Sequence, residues 1–131
     1  MQNKKILIFG GSGQIGRELS LYFNNNKNIK PVFHARTKVA AAFLINKNND
    51  CIICEFEDQN LKKIINEADL VFDLVDPRGG SLKETKDFFQ YRIEYIINNM
   101  RTNAKFVLAS SLVAFGFGKI HNKLKNYFLA G

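Results

Sequence analysis

Four glycines fall within seven residues in Gly10-Gly-Ser-Gly-Gln-Ile-Gly16, and no other stretch restricts the fold as tightly. An apolar run, Ile6-Leu-Ile-Phe9, precedes them, and Arg17-Glu-Leu-Ser-Leu-Tyr-Phe23 follows with helical spacing. Glycine weakens the interior of a strand or a helix. A cluster between the two therefore marks a turn that other residues cannot make, or bare backbone kept open for a ligand. The spacing satisfies G-x-G-x-x-G from Gly11 and G-x-x-G-x-x-G from Gly10. With a strand before and a helix after, this is the setting of a dinucleotide-binding loop. The first glycine makes the turn, Gly13 lets a pyrophosphate approach the backbone, and Gly16 packs the helix against the sheet. Gln14, Ile15 and Gly16 then open a helix whose free N–H groups and positive dipole end face the phosphates.

The rest of the chain switches repeatedly between strand-like and helix-like periodicity. Strands are expected over Lys5–Phe9, Ile29–Ala35, Cys51–Phe56, Leu70–Val75 and Lys105–Ala109. Helices are expected over Gln14–Phe23, Thr37–Asn46 with Thr37 as cap, Asn60–Glu67 and Leu82–Met100. Phe88, Tyr91, Tyr95 and Ile96 mark the expected buried stripe of the last helix. Strands alternating with helices predict a parallel sheet. Right-handed crossovers then give a doubly wound, three-layer α/β/α Rossmann-type domain over residues 1–131, with strand order 3-2-1-4-5.

Composition excludes several classes. At 131 residues and 46% hydrophobic, the chain suits one soluble domain with a core. No apolar run approaches the ~20 residues of a membrane span. The N-terminal apolar run is too short for a signal peptide and lacks a cleavage site, which points to a cytoplasmic protein. The net charge of +7 comes from lysines scattered along a chain rich in Lys, Asn, Ile and Phe, so it reads as compositional bias, and no aromatic–basic platform for nucleic acid is discernible. Cys51 and Cys54 have a redox-like or metal-like spacing, but in a strand residues three apart point to opposite faces. With only two histidines in the chain, no metal site is expected.

The end of the second strand bears on the choice of cofactor. An NAD site places an acid there to bond the ribose 2′-hydroxyl. Here the segment reads Phe33-His-Ala-Arg-Thr-Lys38, with no acid and two cations. A guanidinium binds a 2′-phosphate in bidentate fashion, so Arg36 favours NADP, with NAD the alternative.

With these residues in view, the chain resembles the extended or atypical short-chain dehydrogenase/reductase superfamily, the branch of nucleotide-sugar epimerases and dehydratases. Gly10–Gly16 matches its glycine motif. Glu55-Phe-Glu-Asp58 is similar to its acidic turn after the third strand, which implies that Glu55 and Phe56 lie near the adenine. Ala68–Val75 resembles its fourth strand, implying that Leu74 borders the cofactor. Phe106–Gly116 resembles its fifth strand running into a Ser-Ser-x-x-Val-Tyr-Gly segment, which implies that Ser111 is the active-site hydroxyl. The resemblance implies a cofactor-binding domain of an NAD(P)-dependent epimerase or reductase acting on a sugar nucleotide or similar hydroxyl/carbonyl substrate.

The chain also departs from the pattern. Leu112-Val113 stands where the dehydratases carry an Asp-Glu pair, and Phe115 replaces a tyrosine. The family's Tyr-x-x-x-Lys pair is not found: Tyr127 is followed four residues on by Gly131. The expectations are thus an N-terminal part of a longer enzyme, inactive by itself, or a non-catalytic module that senses NADP(H).

Overall fold

The computed structural model of the protein describes residues 4–26, 28–75 and 81–109. Five strands, β1 (Ile6–Phe9), β2 (Val32–Ala35), β3 (Asp50–Ile53), β4 (Leu70–Asp73) and β5 (Lys105–Leu108), alternate with four helices. The helices are α1 (Gln14–Asn24), α2 (Lys38–Asn46), α3 (Gln59–Glu67) and α4 (Leu82–Asn99). All strand pairings are parallel, and the order is β3-β2-β1-β4-β5. This is the α/β Rossmann-type topology expected from the sequence.

Every strand has four residues, and three end earlier than their apolar composition suggests. β2 begins only after Pro31, which has no N–H to give the ladder. β3 is as long as its partner, with Ala35 opposite Ile53 as the last pair. Glu55 and Phe56 therefore lie beyond the strand, in the turn before α3. β1 is buried along its whole length, as a central strand covered on both faces must be. Ile6, Ile8, Phe23, Phe33 and Leu44 form one core cluster. Right-handed crossovers put α1 and α2 on one face of the sheet and α3 on the other.

Local chemistry sets the helix ends. The Thr37 hydroxyl accepts from the Ala40 N–H at 3.1 Å, and the Asp58 carboxylate accepts from the Asn60 N–H at 2.8 Å. Both cap free N–H groups. After α2, Asn48 takes φ 62°, a left-handed stop that asparagine tolerates, and the Asn49 side chain donates to the Leu44 carbonyl at 3.0 Å. In α4 the stripe is rotated from the expected one. Phe89, Arg92 and Ile96 are buried, while Phe88 and Tyr91 are exposed. A sequence reading treats arginine as outward-facing, but its aliphatic stem buries readily.

The chain divides into two compact units, one of Met1–Val75 with Ile96–Ala109 and one of Asp76–Tyr95 with Ser110–Gly131. All five strands belong to the first. In the second, the described residues are 81–95. No helix among the described residues is long and apolar enough to cross a membrane.

At the amino-terminal edge of the sheet, Asp69 ties β4 to its neighbours. Its carboxylate accepts from the Lys5 N–H at 2.8 Å and pairs with Arg101. The Lys5 N–H first, then the Arg101 guanidinium, hold this carboxyl below its ordinary value. A depressed folded-state pKa stabilises the fold above the unfolded value of about 3.9 and stops doing so as pH falls through the folded value. Asp69→Asn is therefore expected to destabilise the protein at pH 7. In urea titrations the gap to the parent should narrow as pH drops below about 4. A gap independent of pH would contradict this role.

Candidate functional site

The carboxyl ends of parallel strands are where ligands bind in open α/β sheets, and the sequence candidates gather there. Gly10 follows β1 with φ +80°, a left-handed backbone suited to glycine. A Cβ on it would lie 2.7 Å from the Leu74 carbonyl carbon and the Val75 nitrogen. The Leu74 N–H donates to the Phe9 carbonyl at 2.9 Å. Leu74 is thus held against the start of the glycine loop.

Gly11 and Gly16 sit back to back. A Cβ on Gly16 would collide with the Gly11 Cα and lie 2.6 Å from its carbonyl carbon and oxygen. A Cβ on Gly11 would strike the Phe33 ring. The last glycine of the motif therefore packs α1 against its own loop, where the sequence suggested the sheet.

Gly13 differs from the other three. Its φ of −78° and ψ of 178° are extended backbone open to any residue. Among the described residues a Cβ there would meet only the Gly10 carbonyl oxygen, at an ordinary 3.6 Å. Neither strain nor packing among the described residues calls for glycine at this position; what its missing side chain leaves open is space in front of a helix N-terminus. Gly13 is the N-cap of α1 without a side-chain cap, and the first turn holds no acid. The partial positive charge of that terminus is uncompensated from within the helix. Gln14 and Ile15 are exposed in the same turn.

Two sequence candidates come together after β2 and β3. Cys54 N–H donates to the Ala35 carbonyl at 3.1 Å, continuing the ladder one step, so the next residues of both chains are neighbours. Arg36 Nε lies 3.7 Å from Glu55 Oε2, and both side chains are largely exposed, at 73% and 78%. A carboxylate from the turn after β3 thus lies beside the cation that follows β2. Phe56 packs edge-on to Phe9 with ring centroids 5.7 Å apart. Ser111 lies outside the described residues.

Three further residues escaped the sequence reading. His34 is buried, packs its ring at a tilt against Phe9 with centroids 5.2 Å apart and bonds the Cys54 carbonyl through Nε2 at 2.8 Å. That bond fixes the turn carrying Glu55 and Phe56. Arg17 donates from Nε to the Ser12 carbonyl at 3.0 Å and covers the Phe43 ring at 4.7 Å. It adds a cation to the loop. Asp73 is fully buried at the end of β4, its Oδ1 accepting from the Val75 N–H at 3.3 Å. The signal for Asp73 was present: an acid interrupts an apolar strand on the same side as Val71.

Cys51 and Cys54 are free thiols. Burial first, then nearby carboxylates, push both above the ordinary thiol value, the opposite of what a nucleophilic thiolate needs. Among the described residues no group of three or more His, Cys, Asp or Glu is arranged to hold a metal. Two concavities open elsewhere, at the amino-terminal edge of the sheet. One, of about 530 Å³, is lined by Lys4, Lys5, Lys30, Val32 and Ile64; the other, of about 220 Å³, by Phe23, Lys30 and Asp50. They are ordinary surface relief, with Lys5 and Lys30 paired to Glu67 and Asp50.

No protein-family model matches the chain, and no curated protein matches it. Solved structures do. The chain is similar to apo saccharopine dehydrogenase from Saccharomyces cerevisiae, with a TM-score of 0.60 and 20% identity over 92% of this chain and 24% of that one. It is also similar to a UDP-glucuronic acid 4-epimerase mutant from Bacillus cereus, solved with a fluorinated UDP-glucuronic acid and NAD, with a TM-score of 0.64 and 18% identity over 88% of this chain and 42% of that one. The terminal R domain of the myxalamid biosynthetic pathway matches with a TM-score of 0.65 and 11% identity over 86% and 36%. At these identities the likeness is one of fold, and the chain spans between a quarter and under half of each of these structures. The chain shares the Rossmann-type fold of these proteins.

Proposed function

We propose that this chain is the nicotinamide-dinucleotide-binding domain of an epimerase- or reductase-like enzyme acting on a sugar nucleotide or similar hydroxyl/carbonyl substrate. The observation that carries the reading is Gly13: a glycine that neither strain nor packing among the described residues requires, at the uncapped N-terminus of the first helix in a Rossmann-type sheet. A pyrophosphate is the group that such a terminus accepts. Gly10, Gly13 and Gly16 would leave the backbone accessible, and the N–H groups of Gln14, Ile15 and Gly16 would hold the phosphates. Leu74 would border the bound group, and Glu55 and Phe56 would line its adenosine end. When bound, the nicotinamide supplies hydride transfer. The hydroxyl that would orient the substrate is Ser111, on the strength of the resemblance in Phe106–Gly116. The fold shared with an epimerase solved with NAD supports the same assignment.

Arg36, with Lys38 close by in sequence, favours the phosphorylated cofactor. A guanidinium–phosphate pair at an exposed site is worth about 1–2 kcal/mol, or roughly five- to thirtyfold. Calorimetric titration is expected to give tighter binding of NADPH than of NADH by that factor, and Arg36→Ala is expected to remove most of the difference. Equal affinities in the unmodified protein would reject the NADP assignment while leaving the dinucleotide site intact.

A further inference from the structure

From the Arg36–Glu55 geometry, we infer that Glu55 sets the ratio of NADPH to NADH binding, by competing with the 2′-phosphate for the Arg36 guanidinium. The inference rests on the dinucleotide reading above and adds a specificity-determining residue to it.

The two side chains follow different strands and lie 19 positions apart in the sequence, so their pairing is a product of register. Ala35 opposes Ile53, the Cys54 N–H reaches back to the Ala35 carbonyl at 3.1 Å, and His34 holds the Cys54 carbonyl at 2.8 Å. The turn after β3 is thereby fixed beside the turn after β2. Arg36 Nε is left 3.7 Å from the Glu55 carboxylate. A guanidinium has five donors in one plane, and a carboxylate and a phosphate both seek that fork. With both groups on one fork, a dianionic phosphate and the carboxylate lie within several ångströms and repel. NADH has no phosphate at this place, only a 2′-hydroxyl that a carboxylate can accept from, so it gains nothing from the loss of the carboxylate. The pair is well exposed, so salt and water dampen the repulsion. They do not remove it at a separation shorter than the ~8 Å screening length of physiological salt.

Glu55→Gln keeps the shape of the side chain and removes its charge. The test compares NADPH and NADH affinities by calorimetry in the unmodified protein, in Glu55→Gln, and in Glu67→Gln. The last changes net charge equally but sits at the other end of α3, paired with Lys5 at 3.8 Å. Glu55→Gln is expected to raise the ratio of NADPH to NADH affinity about three- to tenfold, by tightening NADPH binding with no gain for NADH, and more strongly at low salt. Glu67→Gln is expected to leave the ratio unchanged. In an Arg36→Ala background the gain from Glu55→Gln should vanish. An unchanged ratio in Glu55→Gln, or an equal gain without Arg36, would overturn the competition and leave the dinucleotide site standing. Failure of the unmodified protein to bind either nucleotide would overturn both.

Discussion

Gly13→Val is expected to leave the protein folded and unable to bind a nicotinamide dinucleotide. The backbone at this position is extended, with φ −78° and ψ 178°, which valine adopts without strain. Its Cβ would lie 3.6 Å from the Gly10 carbonyl oxygen, an ordinary contact. The change at an N-cap costs about 1 kcal/mol at most, so circular dichroism and the urea midpoint should barely move. The isopropyl group, however, fills the space before the Gln14, Ile15 and Gly16 N–H groups. Losing two charge-assisted hydrogen bonds of about 1.5 kcal/mol each weakens binding roughly 100-fold. A folded Gly13→Val protein with parental affinity would place the ligand elsewhere.

The same loop is expected to answer quite differently three residues earlier. Gly10→Ala puts a Cβ on a backbone of φ +80°, which costs about 1–2 kcal/mol. That Cβ falls 2.7 Å from backbone atoms of Leu74 and Val75. Those atoms cannot retreat freely, because the Leu74 N–H bonds the Phe9 carbonyl at 2.9 Å. Overpacking adds about 1–3 kcal/mol, for a total of roughly 2–5 kcal/mol against a typical stability of 5–15 kcal/mol. The urea midpoint should fall by about 1–3 M. An unchanged midpoint would mean that the loop does not hold this turn. The two substitutions would thus separate a glycine that shapes the protein from the one proposed to serve its ligand.

The fold was legible because each crossover announced itself. The apolar run Ile6–Phe9, the glycines and the spacing of Leu19 and Phe23 identify a strand, a turn and a helix without reference to the rest of the chain. The strand ends were less legible because pairing depends on the neighbour. The strand expected through Phe56 stops at Ile53, where the paired register with β2 ends. The stripe of α4 was misjudged because Phe88, Phe89 and Tyr91 crowd together, so aromatic residues cannot all face one side, and the Arg92 stem turns inward.

Within the site, the glycine loop could be read from spacing and context, and Thr37 from its place before an alanine-rich helix. The Arg36–Glu55 pair could not, since nothing in either segment encodes the register that joins them. The absence of an acid at the end of the second strand was true of the sequence and incomplete for the site. His34 was passed over because its role is a bond to a main-chain carbonyl, which no side-chain pattern reveals.

The central claim is that the carboxyl-edge loop holds the dinucleotide. Amide NMR of the protein titrated with NADPH tests it residue by residue. The account predicts the largest shifts at Gly13, Gln14, Ile15 and Gly16, with a second group at Arg36, Glu55 and Phe56, and almost none at Lys30, Asn49 or Ile64. Shifts concentrated on Lys30, Asn49 and Ile64, at the opposite edge of the sheet, with the glycine loop silent, would contradict it.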